Sequence, residues 1–363
     1  MGIQTVSQAL SNENGGSSPF GFKNRIINGA MVIDQRNAGA SITPADGGFG
    51  ADRWRCGLSQ ASKFTIQQQT SVVPVGFSHA LKVTSSSAYS VLSTDEFEVM
   101  QRVEGYNFAD MSWGAVGAQT VTLSFWVNSS LTGTFGGILT NNDGSRVYPF
   151  SYTINNANTW EYETVIIAGD TTGTWNKTTS TGVSVFFSLG AGSSLVGTAG
   201  AWSSTGYRGV TGQVNVVSNN AATWYVTGVQ LEKGPQATAF DYRPYGTEES
   251  LCQRYYWQIT SNAVTSFFFQ GYMYATTQLE GIVKFPVTMR SAATMTSSPV
   301  SQFNLRTSAI AITALTGYTQ GQTGFFNDML LYTGNAATST VGYSQSLISN
   351  SATSTFIGFS AEL

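Results

Sequence analysis

Val229-Gln-Leu-Glu-Lys-Gly-Pro-Gln-Ala-Thr-Ala-Phe-Asp-Tyr-Arg-Pro-Tyr245, running on to Leu251-Cys-Gln-Arg-Tyr-Tyr256, is the stretch whose reading decides the fold. A strand ends at the Gly234-Pro235 turn, because proline has no N–H to continue a ladder. A short aromatic edge segment, Phe240 to Tyr242, crosses to a second proline, Pro244. Thr247-Glu-Glu then reads as a helix start. Thr247 would be the N-cap, and the carboxylates would sit in the first turn, where the helix dipole favours them. Leu251, Cys252 and Tyr255 would form its apolar face, and the helix is expected over 247–257 as a hinge between two β-domains.

Upstream, the apolar pattern has period two. Val121, Leu123, Phe125 and Val127 point one way, while Thr122, Ser124, Trp126 and Asn128 point the other. Trp160, Tyr162, Thr164 and Ile166 alternate in the same manner with Glu161, Glu163, Val165 and Ile167. Val183–Leu189 and Thr223–Leu231 are further strands. Asn141-Asn-Asp-Gly144 reads as a two-residue hairpin turn of type I′. Downstream, Phe267–Phe269, Gly271–Tyr274 and Gln278–Pro286 read as successive strands, Met289–Thr296 begins the next, and Phe356–Leu363 closes the chain. The expected fold is all-β: an antiparallel jelly-roll β-sandwich over 24–246, the helix, and a second, smaller β-sandwich over 258–363. Residues 1–23 read as an N-terminal tail, with Ser11–Pro19 the linker by composition.

Nearly word for word, Val229–Tyr256 resembles the end of a β-sandwich domain in bacteriophage tail-fibre and related virion proteins. Asn24–Gly39 is similar to the opening of that domain, and Ala51-Asp-Arg-Trp54 to its next landmark. Val121–Val127, Asn158–Tyr162 and Gly169–Trp175 fit its middle strands and turns, so the resemblance covers residues 24–256. Phe285-Pro-Val-Thr-Met-Arg290 and the final Ala361-Glu-Leu363 resemble the small C-terminal sandwich that follows in the same proteins. The resemblance implies a jelly roll of the carbohydrate-binding-module type in a virion protein assembled in the host cytoplasm. The implied role is a short tail fibre that binds host surface polysaccharide and, through residues 1–23 as a virion-attachment segment and linker, other phage tail or virion proteins. Fibres of this kind imply a homotrimer, which would also bury Phe267–Phe269 and Phe325–Phe326. Relatives of the carbohydrate-binding type often hold a structural calcium near the first strand. Here Ala30, in Asn28-Gly-Ala-Met31, replaces the Asp of that pattern, and no cofactor is expected.

Composition is consistent with this reading. Only 10% of the 363 residues are charged, yet 41% are hydrophobic and 13% aromatic, enough for a core. Net charge is −3 with no basic tract, so nucleic acid is not an expected partner. No apolar run is long enough to span a membrane. Cys56 and Cys252 could pair but read as two buried free thiols. With a single histidine, His79, no multi-histidine metal site is possible, and no G-x-S-x-G elbow accompanies it.

Two carboxylate sets could serve glycoside hydrolysis, Glu161 with Glu163 and the cluster Asp95, Glu96 and Glu98. Both read as solvated strand edges or caps, so no catalytic residue is expected. Sugar binding needs aromatic faces with polar groups at the rim. Aromatics in polar, Gly-rich loops are the candidates: Trp113, Trp202, and Tyr207 with Arg208. Trp202 also stands where the family places a Trp, which makes it equally a scaffold residue. The reading is a non-enzymatic, glycan-binding tail fibre. The alternatives are a head fibre, decoration or baseplate accessory protein that binds only virion proteins, and, further off, a polysaccharide depolymerase.

Overall fold

The structure, a computed structural model, describes residues 22–261, 263–306, 310–318, 327–335, 338–350 and 354–363. The chain divides into two units that part between Tyr245 and Gly246.

The first unit is an antiparallel sandwich. One sheet has six strands in the order β1 (Phe49–Ala51), β2 (Trp54–Leu58), β5 (Glu96–Glu104), β10 (Thr181–Ala191), β7 (Gly133–Thr140) and β8 (Val147–Ile154). The facing sheet has five, in the order β3 (Phe64–Gln69), β4 (Ala80–Ser85), β13 (Thr223–Lys233), β6 (Val121–Ser129) and β9 (Glu161–Ile167). Two short strands, β11 (Val196–Gly197) and β12 (Gly209–Val210), pair in parallel beside them. The period-two pattern explains the layering. Val121, Leu123, Phe125 and Val127 are fully buried between the sheets with Trp54, Phe150, Phe187 and Trp224. The indole of Trp224 donates to the Tyr152 hydroxyl at 3.0 Å, so the largest core side chain leaves no orphan donor.

The motifs at the two ends of this unit meet each other. The Asn24 side-chain oxygen accepts from the N–H groups of Ile26 and Leu231, and its amide donates to Val229 O. Arg243 donates to the carbonyls of Ile26 and Asn24. Glu232 accepts from Thr238 N and Oγ1, closing the Gly-Pro turn. Asn28, at φ +57°, donates to the carbonyls of Ile33 and Asp52, and Trp54 donates back to Asn28 O. The segments that carry the family resemblance therefore form a clasp that fastens the first residues of the domain to its last strand.

Three local expectations are corrected. The hairpin between β7 and β8 has a loop over 141–146 rather than a two-residue turn, since Thr140 pairs with Val147. The Asn141 side chain accepts from Arg146 N and Asp143 from Ser145 N, so the polar side chains prolong the loop. The helix, α1 (Tyr245–Gln253), starts before Thr247 and stops before Trp257. Thr247 thus lies inside its first turn, and Trp257 belongs to β14 (Tyr256–Ser261), opposite Phe359. Finally, Phe267–Phe269 and Gly271–Tyr274 are one strand, β15 (Phe267–Ala275), with a register shift between Phe267 and Phe269.

In the second unit, β14 pairs with β22 (Thr355–Ser360), which also pairs with β17 (Thr294–Ser297). A closed barrel follows the order β15, β16 (Gln278–Lys284), β20 (Asp328–Asn335), β19 (Ile310–Tyr318), β18 (Phe303–Leu305) and β21 (Ser344–Ser349). The expected second β-body thus takes the form of a barrel with a three-stranded sheet. Met273, Leu279, Phe303, Leu331, Leu347 and Phe359 are buried in its core. Arg290, the last residue of Phe-Pro-Val-Thr-Met-Arg, donates to Ala361 O at 2.7 Å and Glu362 O at 2.8 Å. The two motifs of this unit therefore hold each other.

Candidate functional site

The loop aromatics singled out in the sequence fall in two places. Trp113 is 2% exposed. Its ring meets Trp202 at 5.1 Å and Trp175 at 4.7 Å, and Trp202 also packs on Tyr148 at 5.2 Å. Both indoles donate to backbone carbonyls, Trp113 to Gln119 O and Trp202 to Ala168 O. A forked ion pair between Arg146 and Asp170, at 2.7 and 2.8 Å, lies beside this cluster. Burial alone would raise Asp170, but the bonds from Arg146 and Thr172 outweigh it and hold the carboxyl below its ordinary value. These Trp residues brace the Gly-rich loops against the core. Trp202→Ala is expected to lower the unfolding free energy by about 2–3 kcal/mol, read from urea denaturation.

Tyr207 and Arg208 lie elsewhere, on the outward face of the six-stranded sheet. Tyr207 packs against a small apolar cluster of Met100, Ile138, Val147 and Phe186. Arg208 pairs with Glu96 at 2.6 Å. Beside them Glu98 is buried, and its Oε2 has no hydrogen-bond partner among the described residues. Burial pushes its carboxyl up to about 8, against the pull of Arg208. Asp95 accepts from Ser59, Tyr89 and Leu92 N and works as a loop cap.

Glu161 accepts from the backbone of Asn155 and Asn156, closing a turn. Burial opposes its charge, and these bonds hold it below its ordinary value. Glu163, with burial and Glu161 against it, is raised. Neither cysteine is in a disulfide and both are buried, and burial pushes the Cys56 thiol up to about 12. Among the described residues, no group of three or more His, Cys, Asp and Glu is placed to hold a metal. No helix there is long and apolar enough to cross a membrane.

The arrangement with the most chemistry is the outward face of the five-stranded sheet, which the sequence reading passed over. Register builds it. Gln67 pairs with Lys82, Lys82 with Tyr225, and Tyr225 with Asn128. Val127 pairs with Glu161, so Trp160 stands next to Asn128. The result is one row across all five strands: Gln67, Lys82, Tyr225, Asn128, Trp160. Four strand spacings make it roughly 19 Å long. The rings of Trp160 and Tyr225 stand 6.1 Å apart, and Lys82 Nζ is 5.8 Å from the Tyr225 ring centre. Asn128 Oδ1 and Trp160 Nε1 are buried without hydrogen-bond partners among the described residues.

A second row lies two residues along, with Thr227 opposite Trp126 and Trp126 opposite Tyr162. Their rings meet at 5.3 Å, and Tyr162 is 45% exposed. Gly228 makes this row possible. At φ +62° it sits in a bulge, and a Cβ there would come within 2.6 Å of the Phe77 ring and 3.1 Å of Trp126.

Two open grooves indent this face. One, of about 430 Å³, is lined by Phe77, Trp126, Tyr162, Gly228, Phe240 and Tyr242. The other, of about 400 Å³, runs over Gly39, Gln67 to Val72, Lys82 and Tyr225. The aromatic edge segment of the opening motif walls the first groove, with Phe77, Phe240 and Tyr242 packed edge to face or tilted at 4.8–5.5 Å.

No protein-family model and no curated protein matches the chain. Among solved structures, it aligns with the enzymatically active domain of bacteriophage CBA120 tailspike protein 4. That match has a TM-score of 0.32 and 10% identity, and covers 58% of this chain and 21% of that one. It also aligns with a family 61 carbohydrate-binding module in complex with β-1,4-galactotriose. There the TM-score is 0.30 and identity 10%, over 58% of this chain and 99% of the module. A family 11 carbohydrate-binding module of a Clostridium thermocellum cellulase gives a TM-score of 0.29 and 11% identity, over 55% and 97%. Alignments this loose bear on no residue of the site.

Proposed function

We propose that the first unit binds a glycan along the outward face of its five-stranded sheet without cleaving it, as part of a phage tail fibre. The carrying observation is the pair of transverse rows, in which aromatic rings alternate with amide, hydroxyl and ammonium groups on a rigid sheet. A pyranose offers a C–H face to a ring and hydroxyls to its rim, and these rows supply both. The sequence resemblance to tail-fibre proteins supports the virion setting. Of the attachment segment expected over residues 1–23, residues 1–21 lie outside the described residues. The absence of cleavage is part of the proposal. Glu161 is committed to a turn, Asp95 to a loop cap and Glu96 to an ion pair. The test is to incubate the protein with host cells and extracted surface polysaccharide. Saturable binding with no new reducing ends is expected. Shortened oligosaccharides would return the depolymerase reading, and absence of binding would favour a purely structural accessory protein.

The second unit supports assembly. Phe267, Tyr272, Tyr274, Ile282 and Tyr343 are 47–65% exposed there. Phe325 and Phe326, also invoked for the trimer, lie outside the described residues. Light scattering at micromolar concentration is expected to give the mass of three chains; a single-chain mass would remove the homotrimer.

A further inference from the structure

We infer that the glycan on this face is acidic, with a carboxylate-bearing sugar seated on Tyr225 and its carboxylate on Lys82. This rests on the proposed glycan-binding function and adds the chemical class of the ligand. Lys82 is the one charged residue lining its groove. It forms no salt bridge among the described residues, and its paired neighbours Gln67 and Tyr225 are uncharged. Asp34, below the Ala38-Gly39 wall, accepts from Asn37 N and Gly39 N and is committed to that turn. The other groove amides are occupied as well. Gln67 donates to Gly39 O and Gln68 to Met31 O, and Gln69 holds the turn through Ser71 and Val72. The ammonium rests against the Tyr225 ring and is the one charge at this end of the row. At the other end stand the unpartnered Asn128 Oδ1, on a side chain 2% exposed, and Trp160 Nε1. The 5.8 Å between Lys82 Nζ and the Tyr225 ring centre is the scale of one sugar ring with its exocyclic carboxylate. A neutral sugar would leave Lys82 without a counter-charge, whereas a uronate supplies one.

The experiment uses the full chain and immobilised polygalacturonate, alginate and hyaluronan, each beside its carboxyl-reduced, neutral counterpart. Binding to at least one acidic polymer is expected, lost on carboxyl reduction and weakened by salt. Lys82→Gln should weaken it about ten-fold, as expected for one partly screened ion pair, and Lys82→Arg should restore most of it. Lys63→Gln is the control for net charge. Lys63 lies over the Tyr89 ring, outside the groove, and its loss should leave the affinity unchanged. Equal binding to the reduced polymers, or equal weakening by Lys63→Gln, would overturn the acidic assignment and leave glycan binding standing. Retention by no polymer of either set would overturn both.

Discussion

Replacing Tyr225 and Trp160 together by alanine should reduce glycan affinity about 100-fold while the sandwich stays folded. The two rings flank Asn128 in one row and stand 6.1 Å apart, so one sugar chain crossing the strands meets both. Each aromatic contact supplies about 0.5–1.5 kcal/mol beyond area burial, and two of them account for two decades at about 1.4 kcal/mol per decade. Tyr225 is 8% exposed, but it lies on the outward side of β13, and the core of Trp224, Val226 and Leu231 on the inward side is untouched. The check is affinity electrophoresis beside circular dichroism. A folded double variant with native affinity would move the binding site away from this face. Trp202→Ala is the companion result: it costs stability and leaves the affinity unchanged.

The second large effect concerns pH. Wild-type stability should fall as pH rises from about 5 to 8, and Glu98→Gln should abolish that descent. In the folded chain burial holds the Glu98 proton until about 8, whereas the ordinary value of a glutamate is 4.5. Between these values the native state binds more protons than the unfolded one, so unfolding free energy decreases with pH, by up to about 1.4 kcal/mol per unit. Above about 8 both states are ionised and the loss is complete, roughly 3–5 kcal/mol in all. Glutamine has the same shape and no charge to desolvate. At pH 9 the variant should therefore be more stable than wild type by about 3 kcal/mol, with little difference near pH 4. Urea midpoints across this range provide the measurement, and parallel curves for the two proteins would show that Glu98 is not the titrating group. Asp170 works in the opposite sense. Its carboxyl is held low, so its contribution is present above the ordinary carboxylate range and is lost as pH falls.

Much of this protein was legible in its residues. The period-two run Val121–Val127 picks out the inward face because successive strand side chains point to opposite faces; every residue assigned inward there is fully buried, and Thr122 and Ser124 on the other face are covered too. Pro235 follows the end of β13, where it cannot donate to a ladder, and Pro244 stands just before α1. The same alternation already placed Trp126 and Asn128 together on the other side, and Tyr162 with Trp160. What it could not supply was the partner of each strand. Trp160, Asn128, Tyr225, Lys82 and Gln67 are scattered over the chain, and they form a row only because β3, β4, β13, β6 and β9 pair in that order and register. The loop aromatics show a related limit. A glycine-rich setting looks exposed in sequence, but Trp113, Trp175 and Trp202 find one another in space and fold inward, where their area leaves water. Local chemistry by itself determined strands, turns and the inward face of each strand, since these depend on neighbours a few residues away. Tertiary structure alone decided which outward faces became contiguous and which carboxyl was left buried without a partner, because pairing between distant strands is settled by the packing of the whole core.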